Sequence, residues 1–285
     1  MGAFYETIPE SILQWALQQK VFWVSTAPLV SGHVNCSPKG AKGGESFGIP
    51  DNKTFWYLDM TGSGNETLSH LLEPGNGRIT ILFNAFEGPP RIVRFWGKGR
   101  VLEFGTPEFD EIVQRENIQI VPGIRSVIVV DIHQVGASCG YSVPIFDFKQ
   151  FRTTLHDYFR HKEERFLAGK EKESMDRYWA LKNAWSMDGL PGMQRGLEAG
   201  RLHAIQPIKK MVGPLAPKNR TSSSMRSGFQ IEHIIIIILA LLLAISLATH
   251  PAFQIQAQAR IRDVILQVKA APDALPSSVR FRVDE

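Results

Sequence analysis

Between Val21 and Gly136, six short segments alternate apolar with polar residues, several of them with no helix between. They are Val21–Ala27, His33–Ser37, Lys53–Asp59, Arg78–Asn84, Arg91–Phe104 and Ser126–Gly136. Side chains alternate across a strand, so each segment reads as a strand with one face toward a core. Parallel strands need a long crossover, usually a helix, whereas antiparallel neighbours need only a turn. The succession therefore predicts a mainly β fold, a six-stranded antiparallel barrel with helices at its periphery. No GxGxxG opens a helix after the first strand and no GxxxxGK[ST] occurs, which argues against Rossmann and P-loop nucleotide enzymes.

The peripheral helices are marked by 3.6-residue spacing and by their caps. Ile8, Leu13, Trp15 and Leu17 follow Pro9; Asn65 is an N-cap candidate for a short helix that stops at Pro74-Gly75; Thr106 and Pro107 open another. Beyond residue 148 the spacing turns helical, first through Phe148, Phe151, Leu155, Tyr158 and Phe159. It continues through Met175, Tyr178, Trp179, Leu181 and Trp185 to the breaker DGLPG. This divides the chain into a barrel (1–148), a helical extension (149–192) and a basic linker (193–230).

The run Ile234–Thr249 carries no charge, and with its flanks the apolar stretch 231–253 reaches the length a helix needs to cross a bilayer. A buried core helix or a re-entrant segment is the competing reading. We expect a single-pass C-terminal anchor, a membrane partner through residues 231–253, and a short tail (254–285). The N-terminus lacks the basic and apolar regions of a signal peptide, so the body is expected to face the cytosol. Residues 1–148 hold 11 Lys+Arg against 15 Asp+Glu, leaving 21 (32 − 11) and 13 (28 − 15) for the rest. An acidic barrel is no nucleic-acid footprint, and no nucleic-acid partner is expected. Two cysteines, Cys36 and Cys139, give neither a disulfide framework nor a metal-ligand spacing; they are expected to be reduced and mostly buried.

Two segments look suited to an anion. Ser37-Pro38-Lys39-Gly40 ends a strand with a hydroxyl, a rigid φ, a cation and a flexible residue, where a turn alone needs only the proline or the glycine. Thr61-Gly62-Ser63-Gly64-Asn65 is a Gly-rich turn leading into a helix, which presents unpaired N–H groups. Taken singly, each is also an ordinary turn. A third element, Arg91–Val101, puts Arg94, Trp96 and Lys98 on one strand face, suited to a flat anionic aromatic ligand or to a salt-bridged surface.

In combination these residues resemble the pyridoxamine 5′-phosphate oxidase-like, FMN-binding split-barrel family. The resemblance rests on the order SPKG, TGSGNETLSHL, GRITILFN and RIVRFWGKGRVLE, with YWALKNAWSMDGLPG resembling a motif of a bacterial and fungal branch. It covers about residues 5–192. It implies a split barrel with bound FMN, an obligate homodimer with the flavin between subunits, and a flavin-dependent oxidoreductase acting on a small-molecule substrate. Ser37, Pro38, Lys39, Gly40, Thr61, Gly62, Ser63, Gly64, Asn65, Arg94 and Trp96 would be the cofactor-binding residues. The loop Ser63-Gly64-Asn65-Glu66 lacks the Arg-Lys pair with which the vitamin B6 oxidases grip phosphate, so that substrate is not implied. No catalytic acid or base and no metal site is assigned; His33 and His70 are the candidates for proton transfer. The alternative is a non-catalytic flavin-binding or interaction module.

Overall fold

The computed structural model describes residues 2–40, 42–214, 216, 238–239, 259–263 and 266. Residues 1–218 form one compact unit and 219–285 a second. In the first unit, chain order is β1 (Ala3–Tyr5), α1 (Glu10–Leu17), β2 (Val21–Thr26), β3 (Asn35–Gly40), β4 (Phe47–Gly48), β5 (Thr54–Met60), α2 (Glu66–Leu72), β6 (Arg78–Asn84), β7 (Ile92–Glu103), α3 (Pro107–Arg115) and β8 (Ile124–Ser138). Three helices follow, α4 (Thr154–Leu167), α5 (Met175–Lys182) and α6 (Gln194–Leu202).

All pairings are antiparallel, in the order β3-β2-β6-β7-β8-β5-β4, with β1 on the far half of β8. Eight strands form where six are expected, because β1 and β4 are too short to show a period. Along the sheet, β2 and β5 are separated by three strands. Yet the Phe22 ring of β2 lies 5.4 Å from Phe55 and 5.5 Å from Tyr57 of β5, and 5.5 Å from Phe47 of β4. The sheet therefore curls into a half-barrel closed by aromatic side chains rather than by strand hydrogen bonds. Edge-on and tilted ring contacts of this kind are each favourable beyond the area they bury. The curl is sharpened where the β7/β8 register shifts between Trp96 and Gly97. A Cβ on Gly97 would lie 2.6 Å from the Asp131 carbonyl oxygen, so only glycine permits that approach.

The other face of β5 and β8 is covered by α3, through Phe109 and Ile112 against Trp56, Val127 and Val129. Two expectations on the helical side are modified. Helix α4 starts at Thr154, so Phe148 and Phe151 precede it; their rings pack on each other 4.8 Å apart. Residues 194–202, expected as linker, form α6, docked because the buried Glu103 carboxylate of β7 accepts from the Gln194 and Arg195 N–H groups at 2.8 and 3.4 Å.

Both cysteines are exposed, not buried. Cys36 sits on the outward parity of the edge strand β3, where only one side is paired. The expected localisation is also corrected. Among the described residues no helix is long and apolar enough to cross a membrane, which removes the support for a single-pass anchor with a cytosol-facing body. Apart from residues 238–239, the apolar stretch 231–253 lies outside the described residues.

Candidate functional site

The SPKG residues lie within β3, not after it. Pro38 is tolerated because β3 is an edge strand, where a missing N–H leaves no ladder bond unmade. Asn35, Ser37 and Lys39 share the less exposed face of this strand. Asn35 donates through Nδ2 to Thr67 Oγ1 at 2.9 Å and accepts from Ser37 Oγ at 3.0 Å, so the strand is tied to the first turn of α2. Lys39 turns inward, its Nζ 3.3 Å from Asp59 Oδ1 on β5.

The Gly-rich loop is built by partners far away in sequence. Thr61 is buried, its N–H donating to the Gly123 carbonyl at 2.7 Å and its hydroxyl accepting from Trp179 Nε1 at 3.0 Å. The carbonyl of Gly62 accepts from Asn183 Nδ2 at 2.9 Å, and that of Gly64 from Arg125 Nη1 at 2.7 Å. With its carbonyls held on the protein side, the loop leaves its amides free. Among the described residues the N–H groups of Gly62, Ser63, Gly64 and Asn65 donate to no protein acceptor. Successive free amides of this kind form an anion-binding concavity. Asn65 does not cap α2 with its side chain, which donates to Ser69 Oγ and accepts from Lys210 Nζ.

Beneath the loop, Arg125 Nε lies 2.6 Å from Asp59 Oδ2, both side chains being buried. Burial alone would raise the Asp59 pKa, but Arg125 and then Lys39 hold it below the usual carboxylate value. Arg125, Trp179, Asn183 and Lys210 escape sequence reasoning, because each meets the loop across tens of residues or more; Asp59 stands just before the loop, but the cations that pair with it come from other strands. The one local hint is Arg125 standing just before the apolar run Val127–Val130 of β8.

Lys210 comes from the extended chain after α6, pinned by the Ile208 N–H to the Leu181 carbonyl at 2.9 Å. Its Nζ lies 3.7 Å from Glu66 Oε1. Burial lowers its pKa from 10.5 to about 8, against the pull of Glu66 and with the push of Arg125. The unfolded chain thus holds a proton that the fold releases between about pH 8 and 10.5, and stability rises with pH across that window. Lys210→Met is expected to remove that rise and to gain on the order of 1 kcal/mol at neutral pH, measured by urea unfolding at pH 7 and pH 10.

Arg94 and Trp96 lie on the outer face of β7. Trp96 stacks on Phe4 of β1, centroids 6.5 Å apart, and walls a cavity of about 540 Å³ shared with Ser25, Thr26, Val34, Arg78 and His133. Arg94 is not among the residues of this wall. A cavity of this size lies within the range that holds small molecules and cofactors. Two hydrogen bonds join it to α2: Thr26 Oγ1 meets His70 Nδ1 at 2.9 Å, and Asn35, next to Val34, meets Thr67. His70 is buried and its Nε2 has no partner among the described residues. Burial lowers the His70 pKa despite Asp188, Glu66 and Glu73, so its ring is a neutral structural link at physiological pH.

The chain is 36% identical over 206 residues to the pyridoxamine 5′-phosphate oxidase family protein ustO of Aspergillus flavus, covering 69% of this chain and 80% of that one. It belongs to the pyridoxamine 5′-phosphate oxidase family. No protein-family model matches it. Among solved structures it is similar to HupZ of Group A Streptococcus, with 19% identity, 45% of this chain and 92% of that chain covered, and a TM-score of 0.34. It is also similar to the FAD binding protein of Mycobacterium smegmatis, with 12% identity, coverage of 47% and 97%, and a TM-score of 0.32. In this member of the family the Gly-rich loop runs into α2, and two hydrogen bonds from α2 reach the strands beside the Trp96 cavity.

Proposed function

We propose that this protein binds FMN on the outer face of the half-barrel and acts as a flavin-dependent oxidoreductase on a small molecule, working as a homodimer. The observation that carries the reading is the free-amide loop 62–65 linked, through Asn35–Thr67 and Thr26–His70, to a cavity walled by an indole.

The residues present fit the group in kind. The Trp96 ring offers a flat apolar face for a tricyclic ring system. The amides of Gly62, Ser63, Gly64 and Asn65, with the Ser63 hydroxyl, are suited to phosphate oxygens. Lys39 and Arg125 add positive potential from behind the loop while staying tied to Asp59. Bound flavin would supply the electron-transfer chemistry, leaving the chain to position substrate and keep water out. Family membership supports the same reading. Phe4, stacked on Trp96, and Val34 of the cavity lining are both exposed, and a second copy of the chain would cover them.

The test is the absorbance spectrum of the purified full-length protein, followed by chromatography of any pigment released by heat. The expected result is a yellow dimer that yields FMN, with Trp96→Ala weakening FMN binding about tenfold or more. Colourless protein that takes up no added FMN would remove the oxidoreductase reading.

A further inference from the structure

Lys210 is a buried cation whose removal is expected to stabilise the fold, so stability does not explain its place. It sits on the extended chain after α6, where Gln206, Pro207, Ile208 and Lys209 are all exposed. Its own side chain is only 11% exposed. A docked arm ordinarily buries its apolar residues and leaves its lysines in water. Here Ile208 stays out, at 39% exposed, and the lysine goes in.

The place it enters is the Gly-rich loop. Its Nζ donates to Asn65 Oδ1, and Asn65 closes the run of four free amides. The loop's own sequence, Thr61-Gly62-Ser63-Gly64-Asn65-Glu66, carries an acid and no cation. That acid lies against the loop: Glu66 Oε2 is 2.6 Å from where a Gly64 Cβ would be. An anion entering here meets a carboxylate, and only a cation beside it offsets the repulsion. Beneath the loop, Arg125 and Lys39 are both paired to Asp59. Lys210 is less committed. Glu66 Oε1 is 3.7 Å away, too far for a good hydrogen bond, and already accepts from the Met187 N–H at 3.2 Å. With one contact to Asn65, the ammonium keeps donors for a ligand. The charged groups that act on it are Glu66 of α2 and Arg125 of β8.

We propose that Lys210 recognises the ligand's phosphate, supplying from the chain after α6 the cation that the loop lacks, and so selects FMN over riboflavin, the same ring system without phosphate. The inference rests on reading residues 62–65 as the phosphate seat of bound FMN. It carries a pH signature. Without ligand, Lys210 loses its proton above about pH 8. A bound phosphate dianion keeps the proton on, because an adjacent opposite charge favours the charged form. FMN affinity therefore falls as pH rises past that value. A phosphate ester takes its second charge at about pH 6, below the window in which Lys210 titrates.

Fluorescence titration of FMN and of riboflavin into full-length protein stripped of pigment, from pH 7 to pH 9, separates the outcomes. Wild type should bind FMN about tenfold or more tightly than riboflavin at pH 7, as a hydrogen bond to a charged group implies. Its FMN dissociation constant should rise about fivefold to tenfold by pH 9. Lys210→Met should weaken FMN binding about tenfold or more at pH 7, leave riboflavin within about twofold, and abolish the pH dependence. Lys210→Gln, which still offers a donor to Asn65 but no charge, should behave as Lys210→Met does. A lysine that merely pins the arm would weaken both flavins alike on removal and leave Lys210→Gln close to wild type. That result overturns the proposal, as does unchanged FMN affinity in folded Lys210→Met. Wild type that binds both flavins equally overturns it and leaves flavin binding in place. Wild type that binds neither overturns it together with the FMN reading.

Discussion

Arg125→Met is expected to lower the unfolding free energy by about 3–5 kcal/mol, because it strands a carboxylate with no access to water. Asp59 is 0% exposed, and Arg125 at 2.6 Å is its nearer cation; Lys39 at 3.3 Å remains. The pH dependence should change with it. In the wild type the folded Asp59 pKa lies below its unfolded value, so its contribution is present above that unfolded value and is lost as pH falls through the folded one. Burial is the largest single influence on Asp59, and without Arg125 the remaining cation no longer outweighs it; the folded pKa moves up, and the fold loses stability as pH rises through that window instead. Denaturant unfolding at pH 7 and pH 5 separates the two behaviours. The double variant Asp59→Leu/Arg125→Met should recover most of the loss, since two apolar groups replace two charges. It should not recover FMN binding, because the Gly64 carbonyl has lost the donor that holds the loop's amides outward. Recovery of both would mean that Arg125 acts on the fold alone.

The same contrast between local and distant information explains what the sequence shows and what it hides. Strands such as Arg78–Asn84 and Ile92–Glu103 are legible, because burial on one face forces a period of two that any short window displays. β1 and β4, three and two residues long, display no period at all. In β3 the same period of two puts Asn35, Ser37 and Lys39 on one face. Where Lys39 points is not legible, because that depends on the curl bringing β5 opposite an edge strand, a consequence of the aromatic contacts across the sheet. α6 is hidden for a related reason. Gly196 and Gly200 weaken its helical propensity, and its first amides are satisfied by a carboxylate 91 residues earlier. The anion-suited loop could be identified from its glycines and Asn65. Its real determinants, Arg125, Trp179 and Asn183, each look like an ordinary strand or helix residue until the fold places them. His33 shows the limit most clearly, since Asp188, whose carboxylate meets its ring, is 155 residues away.

Gly192→Ala should test that long-range construction most directly, with a loss of FMN affinity of tenfold to a hundredfold, about 1.4–2.8 kcal/mol. Gly192 N–H donates to the Ala184 carbonyl at 2.8 Å, closing the hairpin that carries Asp188. A methyl at this position would collide with Asn65 Nδ2 and with the Asn183 main-chain oxygen. Asn65 can swing away, but then it gives up Ser69 and Lys210. The Asn183 oxygen is backbone and accepts from the Met193 N–H at 3.0 Å, so relief there requires the hairpin to move off the loop. That displacement loosens the Gly62 carbonyl, which Asn183 holds, and lets the free amides turn inward. Overpacking should also reduce stability by about 1–3 kcal/mol. The two effects separate in a temperature series, because a folded variant well below its melting point should still bind FMN poorly if the hairpin sets the loop. Full FMN affinity in folded Gly192→Ala would place the phosphate elsewhere than residues 62–65. The Trp96 cavity would then stand alone as the ligand site.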